Sequence, residues 1–261
     1  MLDSVIAARF DRRMSSGKTK PCLLACMKTD GEEVELIAKF SAGTERGSMA
    51  LAVEGIAAML AADLALPIPE PYCVEVDAEF IQTITDPVIA ELAKKSAPVA
   101  FGSKKLPAGF STFPLDKSIP QGLIDQAADI FAFDALILNP DRRPENPNCL
   151  GNGSSFAIYD HELAFLKPLF WQPPWAIGSL RDLDNPSRHI FFNGLKGKPL
   201  NFERLWTAWE ALTDERLSLY RNVLPAAWSN EGAAIAEILG YIAQLRDNIR
   251  PALTEVARVL Q

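Results

Sequence analysis

The sequence predicts an α+β chain, β-rich in its first part and mostly helical in its second, and three observations carry that prediction. Residues 5–40 hold strand-like runs that turn on Lys28-Thr29-Asp30-Gly31, where Asp-Gly is a strong hairpin signal. Residues 48–64 are apolar nearly all round, the mark of a buried helix. Residues 161–261 are mostly helical in pattern, with clear segments at 202–212, 215–223, 231–245 and 247–260.

Composition sets the limits. A length of 261 residues fits one bilobal unit or two small domains, and 48% hydrophobic residues can build a sizeable core. A net charge of −7 argues against broad nucleic-acid binding by phosphate neutralisation. The start, Met1-Leu2-Asp3-Ser4, is acidic and lacks the apolar run of a signal peptide. The longest apolar run, residues 49–62, contains Glu54 and is shorter than the roughly 20 residues that span a bilayer. A cytoplasmic chain without a membrane partner is expected. Cys22, Cys26, Cys73 and Cys149 are irregularly spaced among apolar neighbours, so they read as buried reduced thiols. With His161 and His189 the only histidines, no structural metal is expected.

Taken in order, residues 21–27 and 34–40 are the two strands of the predicted hairpin. In the second, Val34, Leu36, Ala38 and Phe40 share one face, which leaves Lys39 on the other as a cation carried on a strand. The helix at 48–64 has one interruption before Asp63, Glu54 beside Gly55. A buried carboxylate requires a cationic partner or gives up its charge, and Lys39 is the natural candidate. Upstream, Ser15-Ser16-Gly17-Lys18-Thr19-Lys20 supplies hydroxyls, a glycine and cations suited to wrapping phosphates, or to a plain solvated loop. It is not a Walker A loop, because the required first glycine is Arg12. Leu66-Pro67-Ile68-Pro69-Glu70-Pro71 is an extended connector into a strand at 72–76, and residues 98–106 read as a strand and hinge.

Further on, residues 122–138 repeat Leu123, Ala127, Ile130, Phe131 and Ala135 at helical spacing, and Asn139-Pro140 stops the helix. A strand follows at 155–159, where two-residue alternation puts Phe156, Ile158 and Asp160 on one face. Between them lies Asn139-Pro140-Asp141-Arg142-Arg143-Pro144-Glu145-Asn146. As a cluster of turn residues it reads as a polar loop. As chemistry, an Asp and an Asn five positions apart with a later Asp suit phosphoryl transfer, which requires a carboxylate aimed at the attacking hydroxyl and hard oxygen ligands for Mg²⁺. Asp141 takes the first role in this reading; Asn146 and Asp160 take the second. Trp206, Trp209 and Trp228 read as core. Pro173-Pro174-Trp175 and the Asp- and Arg-rich stretch 181–188 read as packing and solvation.

Two sets of residues carry a family resemblance. Gly17-Lys18-Thr19-Lys20-Pro21, Ile37-Ala38-Lys39-Phe40, Ala52-Val53-Glu54-Gly55-Ile56-Ala57 and Leu66-Pro67-Ile68-Pro69-Glu70 resemble the N-lobe of HipA-like kinases. Phe133-Asp134-Ala135, Asn139 through Asn148, and Ile158-Tyr159-Asp160-His161-Glu162 continue the match. The short, stand-alone form of the family is the nearer. This resemblance implies a bilobal protein-kinase-like fold with a β-rich N-lobe over residues 1–103, a helical C-lobe over 104–261, and ATP with Mg²⁺ between them. It implies Asp141 as catalytic base, Asn146 and Asp160 as metal ligands, and Lys39 as the phosphate-binding lysine partnered by Glu54; Gly17 and Lys18 are nucleotide-loop candidates from the residues themselves. Two departures stand out: Arg143 where related kinases often have His, and His161-Glu162 where a Gly usually follows the metal-binding Asp.

The expected function is ATP- and Mg²⁺-dependent transfer to Ser or Thr hydroxyls of a protein, including the chain itself. Two other classes stay open: a kinase-like module that binds nucleotide or a partner without transfer, and a small-molecule kinase sharing the same Asp-to-Asn spacing.

Overall fold

The computed structural model describes residues 2–15, 17–114 and 118–261. Met1 and Ser16, both used in reading the sequence, lie outside them. Two compact units form, one from Met1–Met59, Pro69–Leu106 and Leu219–Ala236, the other from Leu60–Ile68, Pro107–Ser218 and Glu237–Gln261.

The first unit is built on five strands: β1 (Asp3–Arg13), β2 (Cys22–Met27), β3 (Glu33–Lys39), β4 (Pro71–Glu75) and β5 (Val99–Lys104). They close into a barrel in the order β1-β2-β3-β5-β4, with β1 and β4 parallel and the other pairs antiparallel. Closure removes the exposed edges that an open sheet would present. The β2–β3 hairpin turns where Asp30-Gly31 predicts it: Gly31 has φ +86° and its N–H donates to Lys28 O at 3.0 Å. Val34, Leu36, Ala38 and Phe40 all face the core, beside Val5, Leu24, Val74 and Ala100. Gly102 of β5 permits a close approach between strands, because a Cβ there would meet Val74 Cγ2 at 2.8 Å.

Helix α1 (Ser48–Asp63) is buried from Met49 to Ala61, with Leu51 to Val53 and Ile56 to Ala61 all at most 1% exposed. Two short helices escape the sequence reading, α2 (Ala78–Thr83) and α3 (Pro87–Lys94). Their signals are present. Asp77 and Asp86 cap them by accepting from Phe80 N at 2.7 Å and Val88 N at 2.9 Å, and Pro87 opens α3. In this unit Trp228 is core, and its Nε1–H donates to Val99 O at 2.8 Å.

The second unit centres on α4 (Ile124–Leu136), buried at every residue from Ala127 to Leu136. The helix stops two residues short of the expected 138; Leu138 already has φ +58°, ahead of Asn139-Pro140. A small sheet pairs β6 (Ser111–Thr112), β7 (Cys149–Gly151) and β8 (Phe156–Ile158) in that order, and β6 and β7 are additions to the sequence reading. Short helix α5 (Phe192–Leu195) precedes α6 (Glu203–Glu210), α7 (Asp214–Asn222), α8 (Gly232–Asp247) and α9 (Ile249–Leu260). Residues 161–191 are turns and one 3₁₀ segment, Arg181–Leu183, so the helical character expected over 161–261 is confined to its later part, where the sequence reading puts its segments. Pro168, Pro173, Pro174 and Pro186 explain this, since each denies an interior helical hydrogen bond.

All four cysteines are free and buried, and burial pushes each thiol up to about 12. No helix among the described residues is long and apolar enough to cross a membrane.

Candidate functional site

The candidate residues fall into two sets, each held within one unit. In the first, β3 sets Lys39 opposite Phe101 of β5. Its Nζ meets Glu54 Oε2 of α1 at 3.1 Å, with the side chains 10% and 3% exposed. A buried ion pair of this kind is weak evidence for stability, because desolving both charges offsets their attraction. It does fix the ammonium on a strand. Gly17 and Lys18 occupy the loop between β1 and β2, where Gly17 has φ +106° and accepts from Lys20 N at 3.2 Å. Lys18 is exposed there.

In the second set, the loop after α4 brings Asp141 and Asn146 together. Arg143 N donates to Asn146 O at 3.1 Å and Asn146 N donates back at 3.0 Å, which closes a tight turn across Pro144-Glu145. The Asp141 carboxylate is 19% exposed. Its Oδ2 accepts from Asn146 Nδ2 at 2.8 Å and from Asn148 Nδ2 at 3.3 Å, and its Oδ1 accepts from Arg143 at 3.3 Å. Asn148 Nδ2 also donates to Asp141 O at 3.2 Å, and Asn139 Oδ1 accepts from Asp141 N at 3.2 Å.

Asp160 is not placed by strand alternation. Strand β8 ends at Ile158, and Asp160 takes φ +65°, so a left-handed turn sets its direction. Asn148, with φ +43°, and Asp160 both adopt this uncommon backbone, which Asn and Asp tolerate better than other side chains with a Cβ.

Beneath the loop lies a charged network that the sequence reading passes over. Asp134 of α4 is 1% exposed and Arg142 is fully buried. Asp134 accepts from Arg142 Nε and NH2, from Asn139 Nδ2 at 2.7 Å, and from His189 Nε2 at 3.1 Å. Arg142 also donates to Asn148 O, to Tyr159 O at 3.4 Å, and to His161 Nε2 at 2.9 Å. Burial works to raise the Asp134 carboxyl, yet the charge of Arg142 and the His189 bond outweigh it and hold it well below the usual carboxylate range. Arg143, the residue singled out as a departure, is the exposed one of the pair. Arg142 is the one that binds loop carbonyls. His161, the other departure, is wholly buried against that guanidinium.

The partners fix the state of His189. Its Nδ1 accepts from Phe191 N at 3.2 Å, so the proton sits on Nε2 and the ring is neutral. Burial lowers its pKa below the ordinary value of 6.5. The unfolded chain therefore binds the extra proton first, and stability is lost as pH falls below about 6.5. Thermal melts between about pH 7.5 and 5.5 should show this decline, and His189→Gln should flatten it. An unchanged slope in that variant would refute the assignment.

A family model described as HipA-like kinase matches residues 7–172. No curated protein matches the chain. The crystal structure of the Helicobacter pylori proinflammatory kinase CtkA is similar over 98% of this chain and 99% of its own, at 12% sequence identity and a TM-score of 0.53. That likeness shows a kinase fold. The MAP kinase LmaMPK10 from Leishmania major aligns over 95% of this chain and 82% of its own at 13% identity, but a TM-score of 0.27 carries no argument.

Proposed function

The chain belongs to the HipA-like kinase family, and we propose that it is a phosphotransferase moving the γ-phosphoryl group of ATP to a hydroxyl, on Ser or Thr of a protein or of itself. The single observation that carries this reading is the Asp141 carboxylate, partly open to solvent and held from three sides by Asn146, Asn148 and Arg143.

The donor set fits the implied cofactors. Asn146 turns its amide nitrogen to Asp141, which leaves its Oδ1 as a hard ligand, and Asp160 offers a partly exposed carboxylate. Mg²⁺ keeps several waters and shares nucleotide phosphates, so two protein oxygens suffice. The chemistry Mg²⁺ supplies when bound is neutralisation of charge on the transferring group. Lys39, steered by Glu54, supplies a fixed positive charge for the nucleotide phosphates, and the Gly17-Lys18 loop supplies backbone N–H groups and a mobile one. Asp141 orients the acceptor hydroxyl and takes its proton as the oxygen attacks.

Mass spectrometry of the purified chain after incubation with Mg²⁺ and ATP, alone and with candidate proteins, tests the reading; added phosphate supports it. One contact favours a nucleotide-binding module instead, the hold of Arg143 on Asp141 Oδ1. Under that alternative, ATP binds and no acceptor gains phosphate.

Asp160→Ala separates cation binding from folding. A ligand at about 100 times its Kd stabilises the folded state by about 2.7 kcal/mol, a readily measured rise in melting temperature. Asp160→Ala should abolish the Mg²⁺-linked part of the rise with ATP. If that part is preserved, Asp160 is not a ligand.

A further inference from the structure

We infer that Arg142 is a positioning residue that sets where Asp160 stands relative to Asp141. The inference rests on the proposed roles of those two carboxylates, and Arg142 touches neither of them as a ligand or base.

The geometry is that of a five-donor fork with every donor used. A guanidinium carries five N–H bonds in a rigid plane and accepts none. In Arg142, Nε–H and one NH2 hydrogen go to the two oxygens of Asp134, and the second NH2 hydrogen goes to His161 Nε2. Both NH1 hydrogens go to backbone carbonyls, one at Asn148 and one at Tyr159. Three separate segments are thereby fixed to one plane: α4 through Asp134, the loop's return through Asn148, and the strand end through Tyr159 and His161.

These anchor points bracket the two carboxylates. Arg142 follows Asp141 directly, while Tyr159 and His161 stand on either side of Asp160. Asn148 links the two groups: its carbonyl accepts from Arg142 and from Tyr159 N at 3.2 Å, and its amide holds Asp141. Both Asn148 and Asp160 have left-handed backbone, which persists only where the surroundings over-determine it. The bonds from Arg142 to the carbonyls at these turns, buried at Asn148 and partly buried at Tyr159, provide that constraint. A lysine cannot substitute, because its three donors radiate from one nitrogen and reach no such spread of acceptors.

Three variants test this, each assayed for transfer from labelled ATP to the chain itself and to dephosphorylated casein, over a Mg²⁺ series. His161→Phe removes the anchor beside Asp160 while keeping a ring against Phe133; it should raise the half-saturating Mg²⁺ concentration by about tenfold, the lower end for losing support behind a metal ligand. Asn148→Gly keeps the left-handed backbone and removes the amide on Asp141; it should lower kcat by about tenfold or more and leave the Mg²⁺ dependence alone. Arg142→Lys should do both. A purely structural role would lower melting temperature and the active fraction without separating the two constants. Should Arg142→Lys fail to fold, the other two decide: if neither variant splits the Mg²⁺ dependence from kcat, the inference is overturned. Wild-type chain that transfers no phosphate would overturn the proposed function, and this inference with it.

Discussion

Replacing Asp141 by Ala is expected to lower phosphate transfer by about 10²–10⁴, the usual range for a positioned base, while nucleotide still binds. The carboxylate is the one acceptor shared by Asn146 Nδ2, Asn148 Nδ2 and Arg143, so its removal changes the loop's chemistry at one point. Loss of those bonds at a partly exposed site should cost only about 1 kcal/mol in stability. A fall in rate without a comparable fall in melting temperature is therefore the informative pattern. Asp141→Asn is the sharper version, because it keeps an oxygen for Asn146 and removes the proton acceptor. Arg143→Ala serves as its contrast: the side chain is 46% exposed, and a surface pair of this kind contributes about 0–1 kcal/mol. Transfer that is unchanged in Asp141→Ala, measured with labelled ATP, would remove Asp141 from the chemistry.

Much of this arrangement is legible in the sequence because each feature has a local cause. Asp30-Gly31 dictates its hairpin through the backbone it permits. Glu54 in a wholly apolar helix demands a cation, and the strand parity of Lys39 makes it available. The same logic applies to Asp134, a carboxylate on a helix whose neighbours Ile130, Phe131, Phe133 and Ala135 are apolar, and would have pointed to a buried cation. What sequence does not supply is which of two adjacent arginines answers. Arg142 and Arg143 are chemically identical, and only the turn across Arg143 to Asn146 decides that one goes inward. His189 lies 55 positions from Asp134, so no periodicity joins them. Asp160 fails by parity for a related reason: alternation holds only while the backbone stays extended, and a left-handed residue ends it.

Asp134→Leu is expected to produce the largest loss of stability, about 3–5 kcal/mol, because it strands a buried guanidinium without its counter-charge. For a chain of this size that corresponds to a fall of about 6–20 °C in melting temperature. The pH dependence has a definite sign. Asp134 is held below the ordinary carboxylate range when folded, so its contribution is complete above about pH 4 and is lost only as pH falls through the lower folded value. Melts near neutral pH therefore read the full difference. A double variant, Asp134→Leu with Arg142→Leu, tests what the pair is for. Replacing both members of a buried pair by apolar groups is often nearly neutral, so the double variant should regain part of the stability that the single one loses. Recovery is incomplete, because the carbonyls of Asn148 and Tyr159 then each lose a charged donor. Transfer should not return with stability, since the fork then no longer ties the turns that carry Asp141 and Asp160 to α4, and only the bonds of Asn148 remain between them. A double variant that regains both would reduce Asp134 and Arg142 to packing. One that regains stability alone separates holding the fold together from holding the carboxylates in place.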